Sequence, residues 1–75
     1  MSINNIFAEV FGIPAAQITD ELALQDIPTW DSLSHMMLIV RLEEGFGVQF
    51  TGDQIADLRT VGDARRALRA QGADA

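Results

Sequence analysis

Ser32 follows directly on Asp31, and His35 stands three positions later. A hydroxyl, a carboxylate and an imidazole are the ingredients of nucleophilic catalysis. A self-activated serine, however, needs a base aimed at its oxygen and a further group aimed at the base. His35 is the single histidine, and helical spacing puts it on the same side as Leu38, Ile39, Leu42 and Phe46, facing a core. No second base accompanies it, so no residue is assigned a catalytic role. Two readings of the Asp31-Ser32 pair remain. In the ordinary one they only begin a helix, with the Asp31 carboxylate capping the amides of Leu33 or Ser34. In the other, the Ser32 hydroxyl is an exposed acceptor for a phosphate ester. Negative charge there would lie near free amides and the positive end of the helix dipole, favourable by roughly 0.3–1 kcal/mol.

The helix that begins at Asp31 is expected to run to Glu44 and to be ended by Gly45 and Gly47. Opposite its core stripe lie Leu33, Met37, Val40 and Glu44. Burial on one side alone would not require that second apolar stripe. Either both faces are covered, as in the central helix of a bundle, or the strip is an exposed docking surface ending in acids, Glu43 and Glu44.

Ahead of this helix, Ile3, Ile6, Phe7, Val10 and Phe11 have the spacing of an amphipathic helix, with Ser2 at its N-cap and Gly12 and Pro14 as its stop. From Gly12 to Trp30 the pattern weakens into a long connection with a short turn near Asp20 to Leu24. A connection of that length counts against an assignment unless it has a function. After the central helix, Val48-Gln49-Phe50 is extended and too short for an independent sheet. Gly52 to Asp57 is expected to form a short helix burying Ile55, with Leu58 close behind. Thr60 then caps a last helix in which Val61, Ala64 and Leu68 share a face, and Gly72 ends it. Residues 72–75 are expected to fray.

With 75 residues, the chain has room for one domain and a core supplying about 3–5 kcal/mol. It has no cysteine, hence no disulfide or thiolate metal site, and one histidine argues against zinc. The balance of 11 acidic against 5 basic residues, a net charge of −6, repels nucleic acid and anionic membranes and favours partners with basic patches. A hydrophobic content of 48% with clear periodicity indicates a folded chain. The opening residues lack the pattern of a secretion signal and no apolar run is long enough to insert into a membrane, so the expected setting is the cytoplasm.

The segment Thr29-Trp30-Asp31-Ser32-Leu33-Ser34-His35, followed by an apolar helix and Leu42-Glu43-Glu44-Gly45-Phe46-Gly47-Val48, resembles the acyl carrier protein family. The resemblance extends to the leading helix, the long first loop, the short helix near Gly52 and the final helix after Thr60. It implies an all-α fold: a small four-helix bundle of three longer helices and a short third one, spanning residues 1–75. It implies that a separate phosphopantetheinyl transferase attaches 4'-phosphopantetheine from coenzyme A to Ser32, and that Asp31 helps hold that enzyme's Mg²⁺. The arm's thiol would then carry acyl groups as thioesters to partner enzymes, raising their effective concentration wherever the carrier docks. Expected partners are the transferase and acyl- or aminoacyl-loading and acyl-processing enzymes, met through Leu33, Met37, Val40, Glu43 and Glu44. Nothing demands an oligomer, and a monomer is expected.

The chain also departs from that family's pattern. Carriers of fatty-acid synthesis bear several acids along the start of this helix, where the chain has Ser34, Met37 and Arg41. Together with Trp30 before Asp31, this favours a carrier dedicated to a specialised pathway. An aminoacyl or peptidyl carrier shares the attachment motif, and an unmodified acidic adaptor is the alternative from another class. Trp30 either packs the loop onto the bundle or meets a partner or the arm. Arg65, Arg66 and Arg69 are read as a solvated face near a helix C-terminus.

Overall fold

A computed structural model describes residues 2–75. Among them are four α-helices and no strand: α1 (Ile3–Phe11), α2 (Ser32–Phe46), α3 (Gly52–Ala56) and α4 (Val61–Ala70). Sixteen hydrophobic side chains from α1, α2, α4 and every connection form one core, and α3 adds only the partly buried Ile55. None of the helices is long and apolar enough to cross a membrane.

Helix α1 buries Ile3, Ile6, Phe7 and Phe11 against α2, as its spacing predicts. Ser2 holds the N-cap position, but its side chain makes no capping bond; core packing carries this short helix instead. Gly12 ends it at φ 68°, and its amide donates to the Ala8 carbonyl at 2.8 Å.

The connection from Gly12 to Trp30 is ordered throughout. It contains two 3-10 turns, Ala15–Gln17 and Leu24–Asp26, and a turn at Asp20 and Glu21. Ile18, Leu24 and Ile27 anchor it in the core. Its backbone is stitched to the start of α4: Leu24 donates to the Arg59 carbonyl at 2.8 Å, Val61 to Leu22 at 3.1 Å and Gly62 to Asp20 at 2.9 Å. Thr29 Oγ1 ties the far end to the Phe11 carbonyl at 2.7 Å. The loop's length therefore does not leave its backbone unsatisfied.

Helix α2 runs two residues beyond the expected Glu44, to Phe46, so Gly45 lies within it and Gly47 alone is the stop, at φ 66°. An interior glycine costs about 1 kcal/mol of helix propensity, and Phe46 packing against the core offsets it. Val48 and Phe50 then turn into the core from the extended segment, while Gln71 Nε2 donates to the Gln49 carbonyl at 2.8 Å.

Helix α3 is held by a capping box the sequence reading did not assign: Thr51 Oγ1 accepts from the Gln54 amide and Gln54 Oε1 from the Thr51 amide. Ile55 is only half-buried, and Leu58 carries the burial expected of it. A helix this short turns little of its surface inward. Thr60 caps α4 by accepting the Asp63 amide on Oγ1, and its own amide donates back to Asp63 Oδ2. Partial burial pushes the Asp63 carboxyl up, but the amides of Arg59 and Thr60 and the Arg66 guanidinium outweigh it and bring it below its ordinary value. Val61, Ala64 and Leu68 are buried as expected. In the tail expected to fray, Ala73 donates to the Leu68 carbonyl at 3.0 Å and Arg69 Nε to the Ala75 carbonyl at 2.7 Å.

Candidate functional site

The site is assembled at the junction of the long loop and α2. Asp31, the N-cap residue, accepts the Ser34 amide on Oδ1 at 2.7 Å, and its own amide donates to Ser34 Oγ at 2.8 Å. Ser34 Oγ in turn donates toward the Asp31 and Thr29 carbonyls, at 3.1 and 3.3 Å. Of the two amides expected to be capped, Ser34 supplies the main bond. Its amide first, then its hydroxyl and the Leu33 amide, hold the exposed Asp31 carboxyl below its ordinary value. The pair is thus a reciprocal cap that stiffens the α2 start.

Ser32 occupies the first position of α2 and is exposed. The geometry modifies one expectation: a carboxylate already serves the first-turn amides. An anionic group on Ser32 would share the positive end of α2 with Asp31 and project into solvent beside it.

His35 is half-buried and fully engaged. Trp30 Nε1 donates to its Nδ1 at 3.2 Å and Nε2 faces the Ile55 carbonyl at 3.1 Å, which fixes the proton on Nε2. The Trp30 and His35 rings meet edge to face, with centroids 5.9 Å apart. Trp30 packs against the core, so of its two readings the loop-anchoring one describes what it does here. His35 joins the loop, α2 and α3 and has no nitrogen free for Ser32.

The two faces of α2 separate cleanly. Leu38, Ile39 and Leu42 are buried, whereas Leu33 is 71% exposed, Met36 47%, Met37 50% and Val40 46%. Neighbouring helices therefore do not cover the second stripe. Met36 was missing from the expected strip, although it lies within one helical step of the direction of Leu33 and Val40 on the same wheel. The three residues Met36, Met37 and Val40 line a shallow depression with Arg41, which is paired with Glu9. Glu44 stands exposed beyond it, and Glu43 turns back to accept the Phe50 amide at 2.9 Å. The arginines of α4 do not form a free basic patch: Arg65 bonds Asp20 and Asn4, Arg66 bonds Asp63, and Arg69 holds the tail.

The family model described as "phosphopantetheine attachment site" matches residues 2–68. Among curated proteins, the chain is 42% identical over 59 residues to an acyl carrier protein of Acidothermus cellulolyticus, covering 79% of this chain and 70% of that one. It is 41% identical over 61 residues to the meromycolate extension acyl carrier protein of Mycobacterium leprae, covering 81% of this chain but 53% of that longer one. The solution structure of the holo acyl carrier protein of Geobacter metallireducens superposes with a TM-score of 0.81 at 37% identity, covering 91% of this chain and 78% of that one. With a matching family model over most of its length and an all-helical fold to go with it, the chain belongs to the acyl carrier protein family, the generally non-catalytic carriers that bear phosphopantetheine and carry acyl groups on it.

Proposed function

We infer that Ser32 is the residue that receives the 4'-phosphopantetheine arm, transferred from coenzyme A by a separate phosphopantetheinyl transferase. The supporting observation is an exposed hydroxyl at the first position of α2, directly after a carboxylate whose orientation the capping box holds. The arm supplies a terminal thiol on which acyl groups ride as thioesters. The chain's own residues present that arm and address it. Asp31, exposed and readily ionised, helps hold the transferase's Mg²⁺. Leu33, Met37 and Val40, joined by Met36, form the apolar docking surface, with Glu44 and the partly engaged Glu43 adding negative charge at its end.

That surface also supports a carrier serving a specialised pathway. Along the exposed face Met36, Met37 and Val40 stand where acids would attract the enzymes of fatty-acid synthesis, and the charge of Arg41 is answered by Glu9. One of its relatives is likewise named for a dedicated task, meromycolate extension.

Intact mass after incubation with a broad-specificity phosphopantetheinyl transferase, coenzyme A and Mg²⁺ tests the attachment. Wild type should gain one phosphopantetheine and Ser32→Ala none. A folded wild-type protein that gains no mass would overturn the assignment of Ser32 and favour an unmodified adaptor.

A further inference from the structure

Five arginines carry all the positive side-chain charge of a chain whose net charge is −6. Among the described residues, four have side-chain partners: Arg41 with Glu9, Arg65 with Asp20, Arg66 with Asp63 and Arg69 with the Ala75 carbonyl. Arg59 has none. Its backbone is nonetheless fixed at both ends, since its carbonyl accepts the Leu24 amide at 2.8 Å and its amide donates to Asp63 Oδ2 at 3.1 Å. A free guanidinium is thus mounted on a rigid segment.

That segment lines a groove of about 660 Å³, which falls within the range of small-molecule sites. Trp30 and His35 form another part of its wall, and Leu24, Ile55 and Leu58 add apolar surface. The hydrogen bonds from Trp30 to His35 and between His35 and the Ile55 carbonyl hold this wall in place. Trp30 and His35 bracket Ser32 in the chain, and His35 lies less than one helical turn along α2 from it. Anything tethered to Ser32 can therefore fold back into the groove.

The chemistry of the lining discriminates between cargoes. An alkyl chain in the groove would offer the exposed Arg59 guanidinium no counter-charge. A carboxylate offers the planar acceptor that the guanidinium fork matches. We propose that this groove receives the cargo end of the arm and that Arg59 selects acyl groups ending in a carboxylate, the half-thioesters of dicarboxylic acids. The proposal rests on Ser32 bearing the arm.

The test loads the full chain with three arms through the transferase: phosphopantetheine alone, its hexanoyl thioester and its adipoyl thioester. The two acyl groups have equal length and differ in one terminal carboxylate. Two readouts follow: the Arg59 Nε–Hε NMR signal, and the rate of thioester cleavage by hydroxylamine relative to the same acyl group on coenzyme A. The adipoyl arm should shift the Arg59 signal and slow its own cleavage by about three-fold relative to hexanoyl, the scale of a partly exposed charge pair. Arg59→Gln should bring the two arms together, and Arg59→Lys should keep part of the difference. Equal behaviour of the two acyl arms in wild type, or a difference that survives Arg59→Gln, overturns the proposal. So does an Arg59 signal that moves with the bare arm and no further with adipoyl, which would assign the guanidinium to the arm's own phosphate. Intact mass separates the two failures: an arm that never attaches overturns the Ser32 assignment and this proposal with it, while an attached arm without the adipoyl effect overturns this proposal alone.

Discussion

Leu33 and Leu38 are the same residue on the same helix, one 71% exposed and the other fully buried. Leu38 belongs to the stripe that, with Ile39 and Leu42, locks α2 to its neighbours; Leu33 belongs to a stripe that the described residues leave largely open. The contrast separates two kinds of apolar surface in this helix. One face is kept for folding, and the other, left in solvent, is the face proposed above to meet partner enzymes.

Substitutions on the two faces sharpen the comparison. Leu38→Ala should cost about 2–5 kcal/mol by creating a cavity. That approaches the roughly 3–5 kcal/mol expected of a core this size, so urea denaturation should find the variant marginal or unfolded. Leu33→Ala should leave the urea midpoint nearly unchanged, within about 0.5 kcal/mol, while slowing turnover by the cognate partner enzymes. An equal loss of stability from both changes would dissolve the distinction. The smallest effect concerns the cap from which both faces start. The Asp31 carboxyl titrates below its ordinary value of 3.8 in the folded chain, so its contribution is complete above that value and is lost as pH falls through the folded value. The Ser34 amide resonance should report the loss in wild type and stay flat in Asp31→Asn, which keeps an acceptor but cannot ionise.

Much of this was legible in the residues themselves. The apolar spacing of Ile3 to Phe11 and of Leu38, Ile39 and Leu42 dictates both long-helix interfaces, and Thr60 marks the start of α4. The Asp31–Ser32 junction was equally readable, because capping is local chemistry. What escaped reading depends on distant parts of the chain. Gly45 reads as a stop, and only packing of Phe46 against the core carries α2 past it. The loop from Gly12 to Trp30 lacks periodicity, because its order comes from backbone bonds to residues far along the chain. The groove shares this origin. Arg59 and Trp30 are unremarkable apart, and the fold alone brings both to one groove. Met36 is a different case: a complete helical wheel would have included it.

The stitching between the loop and the start of α4 has a consequence for exchange with solvent. The amides of Leu24, Val61 and Gly62 lie outside the interiors of the helices, where rapid deuterium uptake is the usual expectation. Each is nevertheless bonded to a carbonyl on the other side of the seam, so it can exchange only when the loop parts from α4. A Cβ on Gly62 would lie 3.0 Å from the Asp20 carbonyl oxygen, which leaves little slack for the seam to breathe by degrees. Deuterium should therefore enter all three amides together, making a stretch of irregular backbone a gauge of how often the carrier opens.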